Sequence, residues 1–394
     1  MAPFSSRLMS ATLKLLVSAG EVSGDQHAAA LLEALDRRVG GLSALGLGGD
    51  RCAARGMRLL AHQRDLAVVG LVEAIGKIRL ARKLIRELVE AARREGVDGA
   101  VLVDAPDFNL PLARRLHRAG IPVVFYVSPQ VWAWRPGRAA TIARIGRRLL
   151  VLFGFEKEWY DRRGLGATVE WVGHPLVDEA ASELARADGA RPARRRIVLM
   201  PGSRDGEVRR LLPAMAGAAA ILAKSHPEAD VVLVRADSVS EALLREAAGK
   251  AVDAWRVVAG PHFALLAAAD VLLVASGTAT VEGLLAGVPM VVVYRVHPIT
   301  YALARLLVKV THAAMANIVS DDGAGARAVP ELIQRDATPE RIAAEAAVFL
   351  DDPEKAAAAR RRLAAGRARL GPPGAADRAA RALLLALGRE GSSA

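Results

Sequence analysis

Short apolar runs alternate with longer stretches of helical periodicity from one end of the chain to the other. In the first half the runs are Leu13 to Val17, Ala100 to Val103, Val123 to Val127 and Leu149 to Phe153. A second series follows at Ile197 to Met200, Val231 to Val234, Val271 to Val274 and Met290 to Val293. Runs rich in Val, Ile and Leu suit strands covered on both faces, and their alternation with helices predicts parallel sheets assembled from βαβ units. Two such series predict an α/β protein with two Rossmann-like, doubly wound domains.

The stretch from Asp178 to Arg196 breaks this rhythm. It holds alanines, acidic residues, Gly189, Pro192 and the basic cluster Arg194, Arg195 and Arg196, without a buried-strand pattern. The linker is placed there, with residues 1–180 as the first domain and 181–394 as the second. At 394 residues the chain is long for one core and suits two. Beyond Pro353 alanine and arginine dominate, and Arg360, Arg361 and Arg362 read as a solvated helix face. Pro372 and Pro373 precede a last helix from Ala375 to Leu387, assigned to the second domain. No solenoid repeat is visible.

Composition narrows the function classes. Hydrophobic residues at 52% and charged residues at 24% describe a globular protein, whereas aromatics at 4% leave little for stacking on single-stranded nucleic acid. A net charge of +12 calls for an anionic partner, which by charge alone is a nucleic acid, a phosphorylated small molecule or a membrane surface. The single cysteine, Cys52, excludes an internal disulfide and reads as a small core residue. The apolar stretch from Leu15 to Gly20 ends at Glu21, which makes it a strand and not a signal peptide. Asp270, Glu282, Pro261 and Pro289 interrupt the apolar region from Val257 to Tyr294, so nothing reaches the ~18 to 20 residues of a membrane span. A cytoplasmic protein, at most attached to a membrane surface, is expected.

Candidate chemistry sits where strands end. Ser18 to Asp25 join the first strand to a helical pattern over Gln26 to Leu35, and their small residues allow backbone amides to approach a ligand. Glu21, Ser23 and Asp25 are the candidate side chains of that turn. It is neither a GxGxxG fingerprint nor a Walker loop. Asp104, Ala105, Pro106, Asp107, Phe108 and Asn109 follow directly on the strand Ala100 to Val103, at the end of a parallel strand where open α/β sheets bind ligands. Asp107 suits either a helix N-cap or a site role, with Asn109 beside it, while Asp104 lies too early to cap and is the better candidate for proton transfer. Two of the five tryptophans, Trp132 and Trp134, stand in the segment Tyr126 to Arg135 and either line a sugar or acyl chain or pack a loop.

In the second half Pro201, Gly202, Ser203 and Arg204 leave a strand and precede a helix. Amides, a hydroxyl and a guanidinium then gather at one anion, which suits a diphosphate. Ala275 to Glu282 repeats the arrangement after Val274, with Ser276, Gly277 and Thr278 at the turn. Glu282, one turn into an apolar helix, can accept hydrogen bonds from ribose hydroxyls. A capping box would need Glu or Gln where Val281 stands, so that explanation fails. His27, His174, His262, His297 and His312 lack the paired spacing of a metal site, and neither a metal nor another cofactor is expected. His174, between Gly173 and Pro175, lies near the crossing between domains.

Between Leu71 and Val89 the apolar residues Leu71, Val72, Ile75, Ile78, Leu84, Ile85 and Leu88 share a helical stretch with Lys77, Arg79, Arg82, Lys83 and Arg86. Such a helix packs on the sheet or lies partly in a membrane interface.

In this order SAGEVSGD, DAPDFN, YVSPQVWAWR, VGHP, PGSR, ASGTATVE and PMVVVYR resemble the lipid-A-disaccharide synthase family, over about Leu15 to Gln334. The resemblance implies a GT-B-like fold of two facing Rossmann-like domains with an interdomain cleft. It implies inverting transfer of 2,3-diacylglucosamine from its uridine diphosphate derivative to the 6-hydroxyl of 2,3-diacylglucosamine 1-phosphate. Asp104 then matches the proposed general base, and Ser203, Arg204, Ser276, Gly277, Thr278 and Glu282 the nucleotide side. Asn317, in Met315 to Ile318, resembles the family's leucine-proline-asparagine site without its proline, and the stretch from Ser320 to Ala328 departs from the short loop expected before Val329. Gln334 is carried over with Asn317. The resemblance also implies a peripheral place on the cytoplasmic face of the inner membrane and allows a homodimer; nucleic acid is not an expected partner. A rival within enzymes is another transferase or an epimerase acting on UDP-N-acetylglucosamine, which would share the nucleotide half but not DAPDFN and YVSPQVWAWR.

Overall fold

A computed structural model describes residues 12–66, 71–186, 194–259, 263–297, 301, 312–321, 323, 325 and 327–389. Residues 187–193 of the expected linker, His262, and residues 322, 324 and 326 lie outside the described residues, as do the side chains of 71–77, among them Leu71, Val72, Ile75 and Lys77. The chain divides into two compact units, Met1–Pro175 with Gly374–Ala394, and Leu176–Pro373.

The first unit is a seven-stranded sheet of β1 (Leu13–Ala19), β2 (Leu42–Gly48), β3 (Arg58–His62), β4 (Gly99–Val103), β5 (Val123–Tyr126), β6 (Arg148–Val151) and β7 (Val169–Trp171). The strands are all parallel in the order β3-β2-β1-β4-β5-β6-β7. The central ones are buried on both faces: β4 and β5 expose no residue, which is why they read as unbroken apolar runs. Helices α1 (Val22–Val39), α3 (Leu71–Glu95) and α4 (Pro106–Arg118) cover the sheet, and Leu16, Leu102, Leu116 and Leu88 meet in its core. Gly46 of β2 adopts φ 143°, and a Cβ there would lie 2.0 Å from the Val17 carbonyl oxygen of β1. Only glycine allows the two strands to pair at that point.

The second unit holds β8 (Arg196–Met200), β9 (Asp230–Arg235), β10 (Arg256–Ala259), β11 (Val271–Ala275), β12 (Met290–Tyr294) and β13 (Glu331–Ile333), again parallel, in the order β10-β9-β8-β11-β12-β13. Helices α8 (Asp205–Ser225) and α11 (Thr278–Ala286) follow β8 and β11.

Three boundaries differ from the sequence reading. Helix α1 starts at Val22 and not Gln26, so Ser23 and Asp25 sit in its first turn. The units part between Pro175 and Leu176, not at residue 180. The last helix, Ala375–Leu387, packs against α1, β5 and β6 of the first unit and not on the second. Its Leu383 and Leu384 are buried there, and Arg378 donates to the Val172 carbonyl at 2.8 Å. An amphipathic helix carries its apolar stripe but no address for it.

Candidate active site

Both sheets reverse strand order beside their first strand. In the first, the chain runs outward through β2 and β3 and returns to place β4 against the other side of β1, pairing Ser18 with Leu102 and Ala19 with Val103. In the second, β11 returns beside β8, pairing Val274 with Met200. Helices diverge at such a point and leave a crevice beyond the strand carboxyl ends. The residues singled out from the sequence, Glu21, Ser23 and Asp104 in one unit and Ser203, Arg204, Ser276, Gly277 and Thr278 in the other, all follow these four strands.

At the first crossover Asp104 is half-buried at φ 47°, and Ala105 follows at φ 44°. Two successive non-glycine residues in the left-handed region cost on the order of 1 to 3 kcal/mol each, so the turn must be held from outside. Asn109 holds it. Its Nδ2 donates to the carbonyls of Asp104 at 2.8 Å and Val103 at 3.0 Å, while its Oδ1 accepts from Ser18 Oγ at 2.7 Å. Asn109 is therefore a buried brace between β1 and β4. Gly20 makes the same approach, since a Cβ there would stand 2.9 Å from that of Ala105.

The other candidates of this rim separate. Asp25 is buried, and its carboxylate accepts from the amides of Gly49 at 2.7 Å, Arg51 at 3.0 Å and Cys52 at 3.2 Å. It caps the short helix α2 (Asp50–Ala54), and burial, with the Asp25 carboxylate second, raises the Cys52 thiol. Asp107 is exposed and lies in the first turn of α4 rather than at its cap, paired with Arg138 at 3.1 Å and Arg135 at 3.7 Å. Glu21 and Ser23 remain half-buried at the mouth of the crossover.

Glu156, which the sequence reading missed, lies in the first turn of α6 (Gly154–Asp161), 3% exposed. Its carboxyl accepts from the Phe153 amide at 3.2 Å and the Trp132 indole at 3.2 Å. Burial pushes it up to about 8, with the nearby Asp104 charge adding to the shift. The only signal available was an acidic residue directly after the apolar run Leu149 to Phe155, and Glu158 two positions on shares that pattern. Rings continue inward from it: Trp132 meets Phe155 edge-on at 5.0 Å, Phe153 lies 5.4 Å from His174, and His174 lies 5.6 Å from His27. Burial pushes His27 down to about 4 and His174 well below its ordinary value, so both imidazoles are neutral near pH 7.

At the second crossover Gly202 adopts φ 114°, and a Cβ there would meet the Glu207 carboxylate at 2.7 Å. Ser203 gives its carbonyl to Ser238 Oγ at 2.6 Å. Arg204 is exposed at the N-cap of α8 and pairs with Glu207 at 3.0 Å. Asp205 and Glu207 already place negative charge in that first turn. Helix α11 has no acid in its first turn, and its N-cap Gly277, at φ 141°, is exposed with open space where a Cβ would stand. Of the two helix ends, α11 offers the uncompensated amides an anion needs. The Ser276 hydroxyl donates to the Ala313 carbonyl at 2.9 Å, and Glu282 is buried within the helix. Tyr294, at the end of β12, is raised by burial and by Glu207, against Arg204 and Arg210, so these groups share one neighbourhood.

Two carried-over residues are occupied elsewhere. Asn317 is fully buried; Oδ1 accepts from the amides of Ala328 at 2.8 Å and Val329 at 3.0 Å, and Nδ2 donates to Glu331 at 2.8 Å and the Val329 carbonyl at 3.0 Å. The Gln334 amide exchanges two hydrogen bonds with the Val296 backbone, at 3.0 and 3.1 Å. Both shape the backbone after β12. On α3, Ile78 at 52% and Leu80 at 41% are exposed, while Leu84, Ile85 and Leu88 are buried. Among the described residues no helix is long and apolar enough to cross a membrane, and no three His, Cys, Asp or Glu side chains are grouped as metal ligands.

Residues 15–375 match the family model of lipid-A-disaccharide synthetase. The chain is 42% identical over 372 residues to the lipid-A-disaccharide synthase of Syntrophus aciditrophicus, an alignment covering 93% of this chain and 96% of that one. Among solved structures it resembles UDP-GlcNAc 2-epimerase from Neisseria meningitidis bound to UDP-GlcNAc, with a TM-score of 0.64 at 11% identity over 96% of this chain and all of that one (100%). It also resembles the calicheamicin glycosyltransferase CalG4, with a TM-score of 0.58 at 16% identity over 96% and 99% of the two chains. At such identities the likeness is one of fold, shared by transferases and epimerases.

Proposed function

The chain belongs to the lipid-A-disaccharide synthase family, and on that premise we propose that Asp104 is its general base and that the N-terminus of α11, with Arg204, receives the departing diphosphate. The reaction is glycosyl transfer in lipid A biosynthesis. A 2,3-diacylglucosamine passes, with inversion, from its uridine diphosphate derivative to 2,3-diacylglucosamine 1-phosphate, leaving a β-1,6-linked disaccharide 1-phosphate and uridine diphosphate.

In the proposed mechanism the Asp104 carboxylate takes the proton of the acceptor 6-hydroxyl as its oxygen attacks the anomeric carbon. The bond from that carbon to the diphosphate breaks on the opposite face, and the electron pair leaves with uridine diphosphate. The amides at Gly277 and Thr278 and the Arg204 guanidinium meet that charge, and Glu282 accepts from the ribose. Positioning and stabilisation of the leaving group supply most of the acceleration. Glu21 and Ser23 line the acceptor beside Asp104. One observation carries the reading: the candidate residues follow the strands at the reversal point of each sheet, with a half-buried carboxylate at one and an acid-free helix N-terminus at the other.

Both substrates carry acyl chains, so the enzyme works at a lipid surface. The exposed Ile78 and Leu80, flanked by the exposed cations Arg79, Arg82 and Lys83, support α3 as the segment that docks on the cytoplasmic face of the inner membrane. Release of uridine diphosphate from the diacylated sugar nucleotide, measured with and without the monophosphate acceptor, tests the assignment. Release that depends on the acceptor and disappears in Asp104→Asn supports it, and undiminished release in that variant removes Asp104 from the chemistry.

A further inference from the structure

We propose that Glu156 is a positioning residue for the reaction at Asp104, its buried carboxyl clamping the Trp132 indole and so holding the Val127–Arg135 loop in its strained shape beside the base. The inference rests on the reading of Asp104 as the base.

The loop leaves β5, whose Tyr126 carbonyl accepts from the Asp104 amide at 3.2 Å, so its first residue is anchored next to the catalytic turn. Both of its ends are left-handed without glycine: Val127 at φ 64° and Arg135 at φ 59°. A β-branched residue in that region is a real outlier, and such strain persists only where the surroundings over-determine it. At one end Ser128 hydroxyl is bonded to the Pro129 carbonyl at 2.9 Å and lies 3.2 Å from Tyr160 Oη. At the other, Arg135 stacks 4.5 Å from the Trp134 ring and pairs at 3.7 Å with the exposed Asp107. The middle is tied to α6 through Trp132, whose indole donates to Glu156 at 3.2 Å and whose ring meets Phe155. The second carboxyl oxygen is taken by the amide of Phe153, the N-cap of α6, two residues beyond β6. One side chain thus joins the loop to the sheet at a point close enough to Asp104 for the two carboxyls to oppose each other's charge.

The groups facing Glu156 are Asp104 from the end of β4, Tyr160 on its own helix, held up at about 12 by burial, and His174 beyond Phe153, held neutral. Lys157 is occupied by Asp161 at 2.6 Å. No cation among these offsets a second negative charge, so ionisation of Glu156 near pH 8 sets a carboxylate against Asp104, while the indole and amide donors that hold Glu156 favour its charged form.

The test compares wild type, Trp132→Phe, Glu156→Gln, the double variant and Asp104→Asn by steady-state kinetics across pH, with uridine diphosphate affinity and melting temperature in parallel. Each single clamp variant should lose on the order of ten- to a hundred-fold in kcat, the scale of a misplacement near 1 Å, with uridine diphosphate affinity unchanged. The double variant should lose no more than the worse single, because both act on the same contact. The wild-type kcat should change on the alkaline side with an apparent pKa near 8, and Glu156→Gln should lack that limb. Multiplying losses, a full kcat in Trp132→Phe, or an alkaline limb that survives in Glu156→Gln would each overturn the proposal. If Glu156→Gln fails to fold, Trp132→Phe carries the test, since it keeps the carboxyl and the ring packing. An inactive Asp104→Asn beside fully active clamp variants defeats the clamp alone, whereas an active Asp104→Asn defeats the base assignment beneath it.

Discussion

At the crossover between β1 and β4 the polar groups are carboxyls and neutral imidazoles, sunk among aromatic rings and held by non-glycine residues at positive φ. At the crossover between β8 and β11 they are hydroxyls, guanidinium groups and backbone amides, opened by glycines at positive φ and nearer to solvent. The two sheets share one topology and differ in what they do with charge. A half-buried carboxylate on a strained turn is suited to holding and moving a proton, because it is held in place and partly shielded from water. An open helix end with an exposed cation nearby is suited to accepting an anion of several charges. The proposed catalytic and leaving-group duties thus rest on burial as much as on residue type.

The contrast is broken most sharply at Asp104. Asp104→Asn should lower kcat by ~10²-fold to 10⁴-fold while uridine diphosphate affinity, measured by calorimetry, stays at the wild-type value. A matching loss of affinity would mean that the two rims do not divide the work.

The next effect is on stability. His27 is neutral when folded, at about 4, against an ordinary value near 6.5. A lowered base binds its proton more readily unfolded, so its contribution is complete above pH 6.5 and is lost as pH falls toward 4. The full shift corresponds to on the order of 3 kcal/mol. In denaturant titrations wild type should lose stability relative to His27→Leu across that window as pH falls. Parallel curves would show that His27 is solvated when protonated.

On the second rim, Arg204→Ala and Glu282→Ala should each weaken uridine diphosphate binding by roughly 1.5 to 3 kcal/mol with little change in pH dependence. Unchanged affinity in both would move the nucleotide away from α8 and α11. The smallest effect is expected outside both rims: Ile78→Ser with Leu80→Ser should reduce binding to anionic vesicles several-fold, while stability changes by no more than about 0.5 kcal/mol, as for other exposed positions. Intact vesicle binding in that variant would remove α3 from the membrane interface.

Much of the site was legible because its residues follow strands. Asp104, Arg204 and Gly277 stand directly after apolar runs, and strand ends in a parallel sheet are where ligands bind, whatever the partners. Asn109 and Asp25, which that rule also picked out, and Asn317 and Gln334, which the resemblance carried over, spend their side chains on other groups of the protein. Their neighbours in sequence could not reveal this, since Asp25 bonds residues 24 to 27 positions away and Asn317 residues 11 to 14 positions away.

By itself the sequence determined the parallel α/β class, the two series of strands, and the places where polar residues interrupt apolar runs. These are encoded in spacings of two to four residues, which is the range over which a chain writes its periodicity. Only the tertiary structure decided that the last helix covers the first sheet, that Glu156 lies beneath Trp132 and next to Asp104, and that the α11 end is the one left open to an anion. Those outcomes depend on which surfaces meet after the chain has crossed back on itself, and on the loss of water that follows, so local pattern carries no record of them.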